Sequence, residues 1–206
     1  MQEYLKNISQ KFARNDVASG REMIYRADFE NLLKDIFQAD GKVTQINHDS
    51  TSDNGNKPDF VISKNSVPIL YIEAKDIGVS LDKIEKSNQM DRYFGYDNLV
   101  LTDYVEFRFY RNGQKYGEPV LIATFDKDTR SLLEIPENFS LLSKTLIDFA
   151  SSHKEPIKNG KQLAKIMGGK AMRIRDNVRE MLASDTDRYA DLTKMLDVVR
   201  ENLVSS

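Results

Sequence analysis

Residues 57–76 constrain the fold more than any other part of the chain. They hold two short apolar runs, 60–62 and 69–72, with a turn at Lys64, Asn65 and Ser66 between them. Short runs rich in Val, Ile, Phe and Tyr, bounded by turn-forming residues, read as two strands folded back antiparallel on each other. That hairpin sets the start of the first strand beside the end of the second, and charged residues sit at both places: Asp59 on one side, Glu73 and Lys75 on the other. Successive side chains on a strand point to opposite faces, so Glu73 and Lys75 project together and Ala74 points away. Ions at the end of a buried strand need a counter-charge or a metal.

Two adjacent carboxylates offer hard oxygen ligands for Mg²⁺, which typically takes one or two carboxylates and substrate phosphate while keeping several waters. Mn²⁺ is the expected substitute, since the same oxygen donors suit it. Lys75 would then stand beside a metal-bound water and a scissile phosphate, orienting or deprotonating the nucleophile and offsetting transition-state charge. The plainer alternative is a surface hairpin ending in a Glu-x-Lys ion pair, a contact that contributes about 0–1 kcal/mol.

The pattern Pro58-Asp59 … Glu73-Ala74-Lys75 resembles the PD-(D/E)xK nuclease superfamily, which includes restriction endonucleases, Holliday-junction resolvases and recombination exonucleases. The resemblance implies an α/β fold, a restriction-endonuclease-like core with a central mixed sheet flanked by helices. It also implies metal ligation by Asp59, Glu73 and the Ala74 carbonyl, with Lys75 at the nucleophilic water. An acid on the first core helix often joins that site. Residues 21–38 read as this helix, with an apolar stripe of Tyr25, Phe29, Leu32, Leu33 and Ile36. At about 100° per residue, Glu22 lies roughly 20° from Phe29 around the helix and Glu30 about 100° away, so Glu22 faces inward and matches the metal-site position. An acid serving only the helix dipole is the alternative there.

The remaining elements follow in the order that such a core requires. Residues 1–15 suit a short packing helix carrying Leu5, Ile8 and Phe12, and 42–46 read as a strand. Residues 47–57 read as a polar loop able to lie near a substrate, with Lys57 and His48 as expected DNA contacts; a solvated loop residue is the alternative for His48. Residues 81–95 read as one helix with Gln89 and Tyr93 stacked at i and i+4. The pair resembles a Gln-x-x-x-Tyr element of some superfamily branches, which implies a catalytic Gln89 holding water or phosphate and a DNA-contacting Tyr93; a packed tyrosine and a surface glutamine are the alternative. Strands at 98–102 and 105–110 follow, with Phe107 and Phe109 buried and Glu106 and Arg108 on a wet face, then an Asn112-Gly113 hairpin turn and a return strand at 118–125.

The segments 21–26, 58–61, 71–78, 85–89, 99–104 and 107–113 together resemble the amino-terminal nuclease domain of single-polypeptide restriction-modification enzymes. There the nuclease precedes an adenine methyltransferase, with or without a helicase. Arg21 departs from the threonine expected before the helix-start glutamate. The resemblance covers roughly residues 20–125 and implies double-stranded DNA as partner, with covalently linked methyltransferase and target-recognition domains beyond residue 206.

The domain organisation expected is a helix over 1–20, the nuclease over 21–152, and a helical spacer over 153–206 containing helices at 161–183 and 187–204. Between Lys154 and Arg179 stand eight basic and two acidic residues, a pattern suited to phosphate contact or to a solvated helix face. Gly168-Gly169-Lys170 lacks the spacing of a phosphate loop, and no glycine fingerprint or Asn-Pro-Pro-Tyr motif occurs. The absence of cysteine excludes disulfides, thiolate zinc sites and cysteine nucleophiles, and His48 and His153 alone make no histidine cluster. A net charge of -2 leaves DNA binding to local patches. No apolar run approaches the roughly 18 residues that span a membrane, and the first residues have no signal-peptide core, so the expected location is the cytoplasm. The function expected is a Mg²⁺-dependent DNA endonuclease; the alternative is a catalytically inactive nuclease-like module for DNA binding or assembly.

Overall fold

The computed structural model describes residues 1–14, 21–39, 44–48, 58–65, 67–126, 128–129, 131–151, 160–183 and 194. Two helices, α1 (Gln2–Arg14) and α2 (Arg21–Ala39), lead into three antiparallel strands, β1 (Thr44–His48), β2 (Phe60–Lys64) and β3 (Val67–Ala74). Two short helices, α3 (Leu81–Ile84) and α4 (Asn88–Tyr93), then carry the chain across to β4 (Asn98–Thr102), which lies parallel to β3. Strand β5 (Glu106–Arg111) returns antiparallel and pairs in turn with β6 (Gln114–Lys115) and β7 (Val120–Leu121). Among the described residues this makes a mixed sheet of seven strands. A separate hairpin of β8 (Ala123–Asp126) and β9 (Ser131–Glu134) precedes α5 (Asn138–Ser151) and α6 (Gly160–Ala183).

Strand alternation divides the interior into two cores, one on each face of the sheet. On the first face Phe60, Ile62, Leu70, Ile72, Val100 and Phe107 meet α1, α2 and α5. All five residues of the expected α2 stripe are buried there, and Phe29 is its hub, with its ring 5.2 Å from Phe60, 5.5 Å from Tyr104 and 6.0 Å from Phe107. Tilted and edge-on pairs of this kind contribute about 0.5–1.5 kcal/mol each beyond the area they bury. On the second face Leu99, Leu101 and Tyr110 pack with Leu81, Met90, Tyr93 and Phe94. The central mixed sheet flanked by helices is the architecture expected from the sequence.

Four local expectations are corrected. Strand β1 runs on past its expected end at Ile46 through Asn47 and His48, where the sequence predicts a loop; pairing of His48 with Phe60 extends the ladder to the start of β2. Residues 81–95 form two helices, because Ser87 is extended (φ -82°, ψ 154°) and its side chain accepts from Met90 N at 3.3 Å, capping a new helix. The return strand over 118–125 is split at Ile122, whose N–H donates to Val105 O just before β5 while its carbonyl accepts from Ile135 N just after β9. The wet face of β5 is half-covered, since Arg108 is clamped by Asp82, Glu85 and Glu106 at 2.6, 2.7 and 2.5 Å. The expected hairpin turn is present, with φ of 49° at Asn112 and 72° at Gly113, the two left-handed positions that a tight two-residue turn requires. The expected linker and the helix over 187–204 fall mainly outside the described residues.

Helix α6 lies against α4 at one close approach. A Cβ placed on Gly169 would stand 2.6 Å from Gly95 N and 3.1 Å from Asp91 O, whereas one on the neighbouring Gly168 meets nothing within 4 Å. Gly169→Ala is therefore expected to destabilise the protein by about 1–3 kcal/mol through overpacking. Gly168→Ala should stabilise it by up to about 1 kcal/mol through helix propensity. Urea unfolding of both variants measures the difference, and equal midpoints would contradict this packing.

Candidate active site

The hairpin of β2 and β3 brings its charged ends together. Phe60 pairs with Ile72, so the residue before Phe60 and the residue after Ile72, Asp59 and Glu73, stand level on neighbouring strands. Both are almost fully buried, 6% and 2% exposed. Pro68, which has no N–H for the ladder, lies at the one register shift of the hairpin, between Ile62 and Ser63 on its partner. The irregularity is thereby confined to the far end from the acids.

Each carboxylate accepts from a cation and from a neutral donor. Asp59 Oδ2 accepts from Ala74 N at 2.9 Å, and Oδ1 accepts from Arg26 Nη2 at 2.5 Å. Glu73 Oε1 accepts from Lys75 Nζ at 2.5 Å and from Gln89 Nε2 at 2.9 Å. The Gln89 amide also reaches Tyr93 OH at 3.2 Å. Lys75 sits just past β3, where its main-chain N donates to Thr102 O at 2.8 Å and continues the parallel ladder by one residue. Glu73 and Lys75 share a face, as the pleat requires, and Ala74 points into the opposite core.

The other expected residues are placed as follows. Gln89 binds Glu73 directly, so it positions a carboxylate. Tyr93 is fully buried: its ring packs in the second core and its hydroxyl accepts from the Gln89 amide. Burial, then the charge of Glu73, pushes the Tyr93 hydroxyl well above its ordinary pKa, which keeps it a neutral phenol. Glu22 lies in the first turn of α2 and His48 at the end of β1, opposite Phe60, but their side chains, and all of Lys57, are outside the described residues. Arg26 is the residue that sequence reasoning missed. It stands roughly 60° from Phe29 on the helix wheel, at the edge of the apolar stripe, where a long cation can reach past the core to a buried acid.

No described group of three or more His, Cys, Asp or Glu residues is gathered as metal ligands. Asp59 and Glu73 make two. Two buried carboxylates with hard oxygens still fit a Mg²⁺ or Mn²⁺ ion, which takes much of its shell from water and phosphate.

Residues 3–118 match the family described as the type I restriction enzyme R protein N terminus. The chain belongs to this family. The matched span contains Arg26, Asp59, Glu73, Lys75, Gln89 and Tyr93, so the whole polar cluster lies inside the restriction-enzyme domain. No curated protein sequence matches the chain. Among solved structures, the chain is similar to a chain in the cryo-EM structure of a DrdV–DNA complex, with a TM-score of 0.47 and 22% identity over 76% of this chain. It spans 14% of the length of that chain. Among the described residues no helix is long and apolar enough to cross a membrane.

A further buried acid steadies the rim of the site. Asp103, 3% exposed, accepts from Val105 N and Glu106 N through Oδ1 and from Gly78 N through Oδ2, tying the turn after β4 to the loop that follows Lys75. Burial raises its pKa, against the lowering effect of the Glu106, Gly78 and Val105 N–H groups. A carboxyl whose folded pKa exceeds its unfolded value binds more protons in the native state. Its charge therefore costs stability as pH rises from about 3.9 through the raised value. The stability of the native protein relative to Asp103→Asn should accordingly fall across that window and level off above it. Paired urea titrations from about pH 4 to pH 8 measure this difference, and a constant difference would contradict it.

Proposed function

We propose that this restriction-enzyme domain is a Mg²⁺-dependent endonuclease module that hydrolyses phosphodiester bonds in double-stranded DNA. The observation that carries the reading is the pair of buried carboxylates, Asp59 and Glu73, level on adjacent strands with Lys75 on the same face as Glu73. Structural ion pairs rarely gather two buried acids from neighbouring strands beside two cations, whereas phosphoryl-transfer sites need that density of charge. Membership in the restriction R-protein family supports the same reading.

Asp59 and Glu73 would hold Mg²⁺, or Mn²⁺ in its place, with the Ala74 carbonyl and Glu22 as further ligands. When bound, the ion supplies Lewis-acid polarisation of a phosphoryl oxygen and a more acidic water. Lys75 orients the attacking water and offsets the negative charge that grows on the phosphoryl oxygens as the water oxygen bonds to phosphorus and the ester oxygen leaves. Gln89 fixes the rotamer of Glu73 through Oε1, and Tyr93 fixes Gln89. His48 and Lys57 would serve as DNA contacts, as the sequence suggests. We further propose that the module works in the cytoplasm within a longer restriction-modification protein, ahead of methyltransferase and target-recognition domains that supply the sequence specificity.

Incubation of supercoiled plasmid with the protein and Mg²⁺ tests the assignment. Nicking that EDTA abolishes is expected, and Asp59→Ala and Lys75→Ala should each lower its rate by about 100-fold or more. Undiminished nicking by both variants would overturn the site. Plasmid binding without cleavage under any metal would favour an inactive DNA-binding module.

A further inference from the structure

We infer that Arg26 is a DNA-phosphate-binding residue stored on Asp59, which it releases when a divalent cation takes that carboxylate. The inference rests on Asp59 and Glu73 being the cation ligands. Of the two Asp59 oxygens, Oδ2 is held by the main-chain N–H of Ala74, which cannot withdraw without breaking the end of β3. Only Oδ1 can be vacated, and Arg26 occupies it. A guanidinium and a divalent cation on one carboxylate oxygen repel each other strongly where water is scarce, so the two occupants exchange.

The charge balance of the site points the same way. Asp59 and Glu73 are matched by Arg26 and Lys75, so these four side chains sum to zero and offer little attraction to DNA. Arrival of a divalent cation leaves them with a surplus of two positive charges, and an incoming phosphodiester matches that surplus. Arg26 is only 19% exposed, so after release it needs a new anion. Its Nε is buried and finds no hydrogen-bond acceptor among the described residues, which leaves a donor of the planar fork for a phosphate to engage. Cation binding and DNA binding are thereby coupled through one side chain that comes from α2, the helix layer on the opposite face of the sheet from Gln89.

The test combines Mn²⁺ titration calorimetry without DNA with binding of a fluorescent duplex in the presence of Mn²⁺. The duplex measurements use a Lys75→Ala background that prevents cleavage. Arg26→Gln removes the competitor for Oδ1, so Mn²⁺ should bind about three-fold tighter or more, and the Mn²⁺-induced rise in melting temperature should exceed that of the native protein. The same substitution should weaken duplex binding about ten-fold and reduce its salt slope by about one. Arg26→Lys keeps the charge but loses the fork, and carries the test if Arg26→Gln does not fold: Mn²⁺ affinity within about two-fold of native and duplex binding about three-fold weaker. A folded Arg26→Gln that binds Mn²⁺ no tighter, or either variant with native duplex affinity, overturns the inference. Asp59→Asn separates the levels. If it abolishes Mn²⁺ binding while Arg26→Gln leaves it unchanged, only the role of Arg26 falls; if it binds Mn²⁺ as the native protein does, the cation-ligand reading falls and takes the inference with it.

Discussion

The Asp59 carboxylate is the joint on which the rest of the site depends. It belongs to the entry of β2, accepts the main-chain N–H of β3 at Ala74, and receives Arg26 from α2. Three elements distant in sequence are thus fixed at one buried group. Removing a single partner from such a pair leaves an uncompensated ion and costs about 3–5 kcal/mol, far more than a surface ion pair contributes. The same group disciplines the hairpin register. A slip of one residue would turn Asp59 into the aromatic core around Phe29 and send Phe60 to the polar side, so the buried pair and the hydrophobic pattern select the same alignment.

Parallel pairing then decides what else can reach the acids. Strands β3 and β4 end at the same edge, and in open α/β sheets the carboxyl ends of the strands are where backbone groups and side chains are left to serve a ligand. Here Lys75 N is tied to Thr102 O, Asp103 gathers the loop that follows, and the crossover helices deliver Gln89 to Glu73. The two cores leave these polar groups only the end of the sheet, since both faces beneath them are filled with aromatic and branched side chains. A polar cluster in that place is positioned by the surrounding packing more than by its own ion pairs.

What could be read from the sequence was whatever depends on a short repeat or a local turn. The pleat put Glu73 and Lys75 on one face, the 3.6-residue period found the α2 stripe, and Asn112-Gly113 marked its hairpin. Harder to read were the features set by contacts between distant elements. Helical spacing alone could not show that Ser87 restarts a helix, because the cap competes with continuation and the sheet beneath decides. Nor could it show that Ile122 bonds to residues flanking two separate sheets, Val105 before β5 and Ile135 after β9. Arg26 stood in a segment singled out for its resemblance, yet its partner lies 33 residues away, and no local rule pairs an arginine at the edge of a stripe with an acid on a strand. Tyr93 was legible as a helix-face neighbour of Gln89, while its complete burial follows from packing on β4 and β5.

Helix α4 shows how far the site extends beyond its own residues. Six residues make less than two turns, too few to hold a helix in water unaided, so the orientation of Gln89 is borrowed from what α4 packs against. One support is the apolar cluster of Met90, Tyr93, Phe94 and Tyr96 on the sheet. The other is α6, which comes close enough at Gly169 to exclude any side chain there and adds the Arg92–Asp176 ion pair at 3.8 Å. That helix begins at Gly160, beyond the span that matches the restriction R-protein family. A displacement of α6 would therefore be felt at Glu73 through α4 and the Gln89 amide, with no change to any residue that touches the carboxylate. Segments outside the family match can in this way set the geometry of the buried charges inside it.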